Sequence, residues 1–280
     1  MQIDYERDIS LIREWLAKED YLPQDLGDML LKKFIHSCYG SLEKTKQCID
    51  KFCVGRTNTP ELYTFRDPTA SKLKTAFSIT SVTTYEAGED EIVIHELDDP
   101  NLERFEFYDL LKTFAMQADY WLNNIPLFPR GHIVLIDAKH FYLKIVSRVN
   151  IFFFKQFLVY LLEAMPVRIK QIHVYNSPAY YDKLFSLVKP VLPQEICDMI
   201  KFHLEIEGLY AHVDKKYLPV ELGGEAPSMK DQQKKWVKII TESRDMYLND
   251  NLWKADMKKR AKSKGADTAM NGSFRSLSID

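Results

Sequence analysis

The side chains best suited to covalent or metal chemistry in this 280-residue chain are its four cysteines. Three lie in one N-terminal region and one is distant: Cys38, Cys48, Cys53 and Cys197. Their spacing is not that of zinc or iron–sulfur ligands. The sequence also lacks a Walker A loop, a G-x-S-x-G elbow, an H-E-x-x-H motif and a glycine-rich turn after a strand. We therefore expect no catalytic residues, no metal site and no cofactor.

The composition is that of an ordinary globular protein with a sizeable core, because 46% of the residues are hydrophobic and 28% are charged. A formal net charge of −2 excludes nucleic-acid binding by bulk positive charge. The 16 Phe, 15 Tyr and 4 Trp suit either a large aromatic core or a wide apolar cavity lined by rigid rings. We find no signal-peptide core and no run near the roughly 20 apolar residues of a membrane span. We expect a soluble, reduced, cytoplasmic protein.

Strand-like and helical segments alternate through the middle of the chain. The predicted strands are residues 91–97, 131–137 and 171–176, with a short edge strand within 204–209. The predicted helices between and after them are residues 103–124, 149–165, 180–189 and 193–203. This alternation predicts an α/β fold with a mostly parallel sheet and crossover helices.

Changes in composition and hydrophobic pattern along the sequence divide the chain into three parts. Residues 1–88 read as a helical N-terminal domain, with three short helices between Tyr5 and Phe52, followed by a turn-rich linker. Residues 89–228 hold the α/β domain. Residues 229–280 continue as a helix and end in a polar tail that we expect to be disordered. Its basic run "MKKRAKSK" fits a solvated tail, or a contact with nucleic acid or anionic lipid.

Two of the predicted helices are unusually apolar. Residues 150–165 are apolar nearly all round the helix, which requires burial on most faces. Either this helix is sandwiched between the sheet and outer helices, or one face borders an empty space of ligand size. The next helix carries an inward stripe at i, i+3, i+4 and i+7, formed by Tyr181, Leu184, Phe185 and Val188. Asn-Ser-Pro precedes it and Lys-Pro ends it, so it suits a hinged lid as well as a static surface helix.

Three motifs in the correct order give the sequence a specific resemblance. The first is "GHIVLID", which is similar to a "G-x-x-x-I-x-D" strand. The second is "MPVRIKQIHVYNSPAYYDKLFSLVKPVL", which is similar to a strand followed by a gate helix that ends at Lys-Pro. The third is "YLPVELGGEAPS", which is similar to the "LP-x-E-x-GG" segment that ends the domain. All three are typical of the CRAL-TRIO lipid-binding family, in its tocopherol-transfer and retinaldehyde-binding branch. The N-terminal "FIHSCYGSLEKTK" resembles the helical segment that precedes this domain in the family. The resemblance spans roughly residues 28–228.

The resemblance implies a helical N-terminal bundle followed by an α/β sandwich, whose mostly parallel sheet floors an apolar pocket. A mobile lid helix, within residues 176–192 here, would cover that pocket. The protein would bind one hydrophobic molecule and carry it between membranes without covalent chemistry. Carried over position by position, the ligand-contacting residues are Leu111, Phe114, Ala115, Ala118, His132, Ile136, Phe157, Tyr160, Leu161, Met165, Ile169, Ile172, Tyr181, Leu184, Phe185 and Val188.

Two of these positions carry polar groups that could reach a ligand. His132 stands where relatives often have an aliphatic residue. It is either a satisfied core histidine or a hydrogen-bond partner for a ligand hydroxyl or carbonyl. Tyr160 is the second candidate for a polar contact.

The tocopherol branch of the family binds phosphoinositide headgroups with a basic cluster, and this chain keeps only part of it. Arg168 and Lys170 occupy two of the positions, whereas Glu195 and Met199 replace basic residues on the helix after the lid. The cations expected near a membrane are Arg168, Lys170, Lys183 and Lys189. They would dock the protein transiently on an anionic surface. The alternative is that Arg168 and Lys170 only solvate the end of a strand.

The sequence therefore predicts a non-enzymatic carrier of a tocopherol-, retinoid-, carotenoid- or other terpenoid-like lipid. Two alternatives stay open: a phosphatidylinositol or phospholipid exchange protein, and a protein-interaction module with a vestigial pocket. The expected partners are a small hydrophobic ligand and, transiently, an anionic membrane surface. We expect a monomer and no nucleic-acid partner.

Overall fold

The computed structural model describes residues 3–140 and 143–262. The helices of these residues are α1 (Tyr5–Leu16), α2 (Asp28–Ser37), α3 (Leu42–Asn58), α4 (Pro60–Tyr63), α5 (Ser71–Ile79), α6 (Phe107–Asn124), α7 (Leu143–Val146), α8 (Ile151–Glu163), α9 (Tyr181–Val188), α10 (Gln194–Met199), α11 (Met229–Glu242) and α12 (Arg244–Leu248). The strands are β1 (Thr80–Ala87), β2 (Asp90–Leu97), β3 (His132–Asp137), β4 (Ile169–Tyr175) and β5 (Ile200–Phe202). The tail predicted to be disordered, residues 265–280, lies outside the described residues.

Two of the N-terminal helices, α1 and α3, begin at residues whose side chains satisfy free backbone N–H groups. The side chain of Asp4 accepts from the backbone N of Arg7 at 3.2 Å, and Ser41 accepts from the backbone N of Lys44 at 3.4 Å. Buried apolar side chains of α1, α2 and α3 then pack on one another and on Trp121 of α6. The helical part and the α/β part therefore share one core.

In the described residues, five strands form one sheet in the order β1-β2-β3-β4-β5. β1 is antiparallel to β2, and the other neighbours pair in parallel. The parallel neighbours are joined by crossovers that contain α6, then α7 and α8, then α9 and α10. The expected α/β fold with a mostly parallel sheet is confirmed.

The two faces of the sheet meet different neighbours, because side chains alternate along each strand. On one face, Tyr85, Ile92, Leu135 and Tyr175 are buried against the segment that includes the 3-10 turn Ile206–Ala211. The opposite face is covered by α6, α8 and α9, which leave a hollow above it. The sheet thus has one solidly packed face and one face that borders open space.

The sequence predicts a turn-rich linker with short helical pieces over residues 57–91; the helical pieces are present as α4 and α5, but the strand β1 was not predicted. This segment contains α4, α5 and strand β1, which pairs with β2 along its whole length. Four of the eight β1 residues are Thr or Ser, so the strand lacks the apolar alternation that marks a half-buried strand. Threonine nevertheless favours extended backbone, and the ladder with β2 supplies the hydrogen bonds.

The predicted edge strand within residues 204–209 is also wrong. That segment enters the 3-10 turn Ile206–Ala211, and the edge strand is β5, inside the segment predicted as a helix. A strand of three residues is too short to show an alternating pattern, so pairing with β4 decides its conformation.

Candidate functional site

A cavity of about 550 Å³ lies between the sheet and the helices α6, α8 and α9. All five strands contribute to its floor, and most of its lining is aliphatic or aromatic. The floor consists of alternate strand residues, among them Val82, Thr84, Glu91, Val93, His95, His132, Val134, Ile136, Val174, Ile200 and Phe202. At the start of β4 the register with β3 shifts by one residue, so Ile169 and Ile172 both reach the cavity.

Thirteen of the sixteen pocket residues predicted from the sequence line this cavity. They are Leu111, Phe114, Ala118, His132, Ile136, Phe157, Leu161, Met165, Ile169, Ile172, Tyr181, Phe185 and Val188. Ala115 and Tyr160 lie elsewhere, and the side chain of Leu184 lies outside the described part of the chain. Ala115 packs with Leu62 and other buried residues under α4. Tyr160 faces α3 and α4, with its ring 6.2 Å from that of Phe52 and 6.1 Å from that of Tyr63.

Helix α8 forms one wall of the cavity and is less buried than the sequence suggests. Only Phe153 and Phe157 of its described side chains are buried, and Phe152 is 77% exposed. Phe154, Leu158 and Leu161 line the cavity, so this face of the helix is not enclosed by a solid core. Of the two interpretations of this helix, the structure agrees with the one in which a face borders open space.

Helix α9 covers the cavity and is the predicted lid helix. Tyr181 and Phe185 point inward, and their rings lie 4.7 and 5.1 Å from the ring of Phe202 on β5. Before the helix, Asn176 has a positive φ of 52° and donates through Nδ2 to Asp137 Oδ1 at 3.0 Å. Asparagine tolerates this left-handed backbone better than most residues. The Asn-Ser-Pro segment is therefore a sharp turn that is held at a defined angle.

A polar group of three side chains lies at one end of the cavity. Glu91 is buried and accepts from Trp121 Nε1 at 3.2 Å, while its other oxygen lies 3.3 Å from His132 Nε2. The Nδ1 atom of His132 accepts from the backbone N of Arg168 at 3.3 Å. Both ring nitrogens of His132 are therefore engaged by the protein, as the interpretation of a satisfied core histidine requires.

Lys33 of α2 lies beside this polar group and is almost fully buried. Its Nζ atom donates to the backbone oxygen of Leu127 and lies 3.1 Å above the ring of Trp121. Burial lowers the pKa of Lys33 to about 7, although the negative charge of Glu91 opposes this shift.

The strand that carries Glu91 also places His95 on the cavity floor, which sequence reasoning missed. The signal was present in the segment "EIVIHEL", because alternation puts Glu91, Val93 and His95 on one face. Burial lowers the pKa of His95 to about 4, so its imidazole is neutral at neutral pH.

The four cations expected near a membrane divide into two pairs. Arg168 is engaged by the protein: its guanidinium donates to the backbone oxygens of His36 and Ser37 and lies 3.7 Å from the ring of Tyr39. Lys170 donates to Asp90 at 2.5 Å. Lys183 in α9 and Lys189 directly after it are exposed.

Two further properties of the described residues bear on function. No group of three or more His, Cys, Asp or Glu side chains among them could hold a metal ion. None of the helices formed by residues 3–140 and 143–262 is both long and apolar enough to cross a membrane.

Comparisons with known proteins agree with this geometry. A family model described as the CRAL/TRIO domain matches residues 80–224, and one described as Pinta-like, UBA domain, matches residues 2–73. Alpha-tocopherol transfer protein-like from Homo sapiens is 22% identical over 247 residues, which cover 87% of this chain and 72% of the relative. Clavesin-1 from Rattus norvegicus is 27% identical over 125 residues, or 44% of this chain and 35% of the relative.

Among solved structures, Sfh5 has a similar fold. The TM-score is 0.51 at 12% sequence identity, and the match covers 88% of this chain and 99% of that one. The CRAL/TRIO match itself spans just over half of the 280 residues. The chain therefore belongs to the CRAL/TRIO domain family, which is known for binding and transferring lipophilic ligands.

Proposed function

We propose that this protein binds one small hydrophobic molecule, of the tocopherol, retinoid, carotenoid or other terpenoid-like kind, in the cavity above the sheet and carries it between membranes. The observation that supports this most directly is the cavity of about 550 Å³ with its mostly apolar lining. A ligand that hides about 400 Å² of apolar surface there gains on the order of 10 kcal/mol before binding costs.

The lid suggests how such a ligand enters and leaves. Inward, α9 presents Tyr181, Phe185 and Val188 to the cavity; outward, it presents Lys183 and Leu187, which is 56% exposed. Exposed apolar and cationic side chains together favour contact with an anionic membrane. Opening the lid at that surface would expose the ligand to lipid and not to water. We propose a cytoplasmic protein that meets membranes transiently and performs no covalent chemistry.

Exchange of phosphatidylinositol or another phospholipid is a weaker alternative. A phosphate headgroup needs free cations or backbone N–H groups. Arg168 already donates to two backbone oxygens and Lys170 is paired with Asp90, so neither is free to hold a phosphate. An interaction module with a vestigial pocket is also less favoured, because the hollow above the sheet is open and not filled by side chains.

Native mass spectrometry of the purified protein, followed by organic extraction, tests the proposal. A stoichiometric, neutral, hydrophobic small molecule is the expected result. A phospholipid in the extract would instead support the exchange function. Failure to load any lipid, after incubation with vesicles that contain a terpenoid alcohol, would favour the interaction module and contradict the proposal.

A further inference from the structure

His95 is a polar residue in the middle of an apolar wall. In the strand register it lies between Val82 of β1 and Ile136 of β3, and both of these residues also line the cavity. Its ring centroid is 5.4 Å from that of Phe114 on α6. The nearest residues on the same face of β2 are also apolar, so the imidazole has aliphatic and aromatic neighbours.

The imidazole of His95 has no hydrogen-bond partner among the residues that the structure describes. His132, the other histidine of the cavity floor, differs because both of its nitrogens are engaged. A neutral imidazole offers one N–H donor and one nitrogen acceptor. A polar group left unpaired in an apolar space is destabilising, so a bound molecule that pairs with His95 removes this cost.

The charges around the cavity limit which polar group that molecule can carry. None of the described lining residues is Lys or Arg, whereas Glu91, Glu96 and Asp137 all belong to the lining. A carboxylate or phosphate would find no free cation there, because the nearby Lys139 already donates to Glu96 at 2.6 Å and lies 3.7 Å from Asp137. A neutral hydroxyl or carbonyl meets no such penalty.

We propose that His95 is the specificity-determining residue of the cavity and hydrogen-bonds one neutral hydroxyl or carbonyl of the bound molecule. It selects oxygenated hydrocarbons over bare hydrocarbons and over lipid anions. His95 lies four positions after Glu91 on the extended strand, about 13 Å away at roughly 3.3 Å per residue. The ligand oxygen that bonds to His95 therefore lies well away from the Glu91–His132 group. The hydrocarbon part of the ligand extends from that oxygen. This inference rests on the proposed binding function and adds the residue that recognises the polar group of the ligand.

Three probes with one branched carbon skeleton test the assignment: phytane, the saturated hydrocarbon; phytol, an allylic alcohol; and phytanic acid, the saturated carboxylic acid. Each radiolabelled probe is partitioned between the 280-residue protein and cyclodextrin, and variants are compared with the wild type for the same probe. His95→Leu is expected to weaken phytol binding about fivefold to tenfold, the effect of one lost hydrogen bond, and to leave phytane binding equal or tighter. His95→Gln, which keeps a donor and an acceptor, should restore part of the phytol affinity.

Phe114→Leu serves as the matched control, because it alters the wall beside His95 without removing a polar group. It should weaken phytol and phytane by the same factor. Phytanic acid should bind the wild type at least about tenfold more weakly than phytol at neutral pH.

The outcomes separate this inference from the proposed function. If His95→Leu weakens phytol and phytane equally, or changes neither, His95 is only part of the wall and the inference is overturned while the carrier function stands. Tighter binding of phytanic acid than of phytol overturns the stated specificity. If the wild type binds none of the three probes, the proposed function fails and the inference fails with it. Binding of phytane by His95→Leu also shows that this variant is folded.

Discussion

Asp119 on α6 is the carboxylate that joins the N-terminal helices to the wall of the cavity. Arg56 of α3 donates to its two oxygens at 2.8 and 2.6 Å, and Arg66 donates to one of them at 2.5 Å. All three side chains are at most 1% exposed. Burial alone would raise the pKa of Asp119, but the two guanidinium groups outweigh it and hold that pKa below its ordinary value. The carboxylate therefore stays charged and compensates two buried cations.

We expect Asp119→Asn to lower the free energy of unfolding by about 3–5 kcal/mol, because it leaves buried guanidinium groups without a counter-charge. Urea unfolding followed by tryptophan fluorescence measures the change. Asp67→Asn is the control, since it breaks an ion pair of similar geometry with Arg244 at the surface, where solvent screens the charges. Equal effects of the two substitutions would show that the buried network is not a special source of stability.

His173, on the packed face of the sheet, belongs to a group of three histidines. It is fully buried, and its Nδ1 lies 2.9 Å from Nε2 of His203, while the His212 ring centroid is 5.0 Å away. Burial, and then the charges of His203, His212 and Lys201, lower the pKa of His173 to about 4. The unfolded chain, with an ordinary histidine pKa near ~6.5, binds this proton more readily.

Stability should therefore fall as the pH drops from about 6.5 to about 4, since the unfolded state takes up more protons in that window. The contribution of His173 is on the order of 3 kcal/mol at the acid end. Comparing the pH dependence of urea unfolding between the wild type and His173→Gln isolates it from the carboxylates that titrate in the same range. The variant should lose less stability as the pH falls. An unchanged slope of stability against pH would rule out His173 as a source of acid sensitivity.

Single residues also show where sequence reasoning succeeds. Hydrophobic periodicity and the family motifs suffice to find apolar positions such as Phe114 and Phe185, because a whole helix face turns toward the cavity together. They do not find the partners of polar side chains. Tyr160 is a plausible ligand contact in the sequence but faces α3, and Arg168 is a plausible headgroup ligand but is occupied by backbone oxygens of α2. These partners are distant in sequence and only the fold brings them close.

At the scale of elements, Gly55 shows how a close approach between helices can be misread from sequence. Its position near the end of a helical run suggests a C-cap, yet α3 continues to Asn58. A Cβ atom at Gly55 would lie 2.5 Å from the ring of Tyr160 on α8, so the residue is glycine because two helices touch there. The bounds of α9, in contrast, are predicted well, because the helix breakers on either side of it and its apolar stripe are all local in sequence.

The lid offers a matched pair of substitutions on opposite faces of α9. Phe185→Asp should reduce ligand retention at least about tenfold, because it places a carboxylate against the apolar cavity. Leu187→Asp lies on the outer face and should retain ligand normally while slowing transfer to anionic vesicles. Retention of radiolabelled phytol through gel filtration, and its transfer between vesicles, are the two measurements. Equal retention by both variants would argue against α9 as the lid.

At the scale of the whole molecule, the cavity wall is continuous with the N-terminal core. Met165, just after α8, lines the cavity and also packs with the buried residues of α1, α2 and α3. Filling the cavity should therefore stabilise the helical part as well as the sheet. The sequence separates a helical N-terminal part from the α/β part but gives no sign of this shared core, because the contacts of Met165 join segments more than a hundred residues apart.

Ligand binding should raise the melting temperature of the whole chain in one transition. With free phytol at ~100 times its Kd, the stabilisation is about 2.7 kcal/mol. That corresponds to roughly 5–10 °C in Tm for a chain of this size. Differential scanning calorimetry of delipidated protein measures it, and Phe185→Asp should show little shift. A rise confined to one of two separate transitions would mean that the two parts unfold independently.

The hollow above the sheet also affects how long each copy survives in a cell. An unfilled interior has fewer packing contacts, so the empty form opens more often and exposes cleavable backbone to proteases. A copy that holds its cargo opens less and is degraded more slowly. We therefore expect the abundance of this protein to follow the supply of its cargo, without any change in the rate at which it is synthesised.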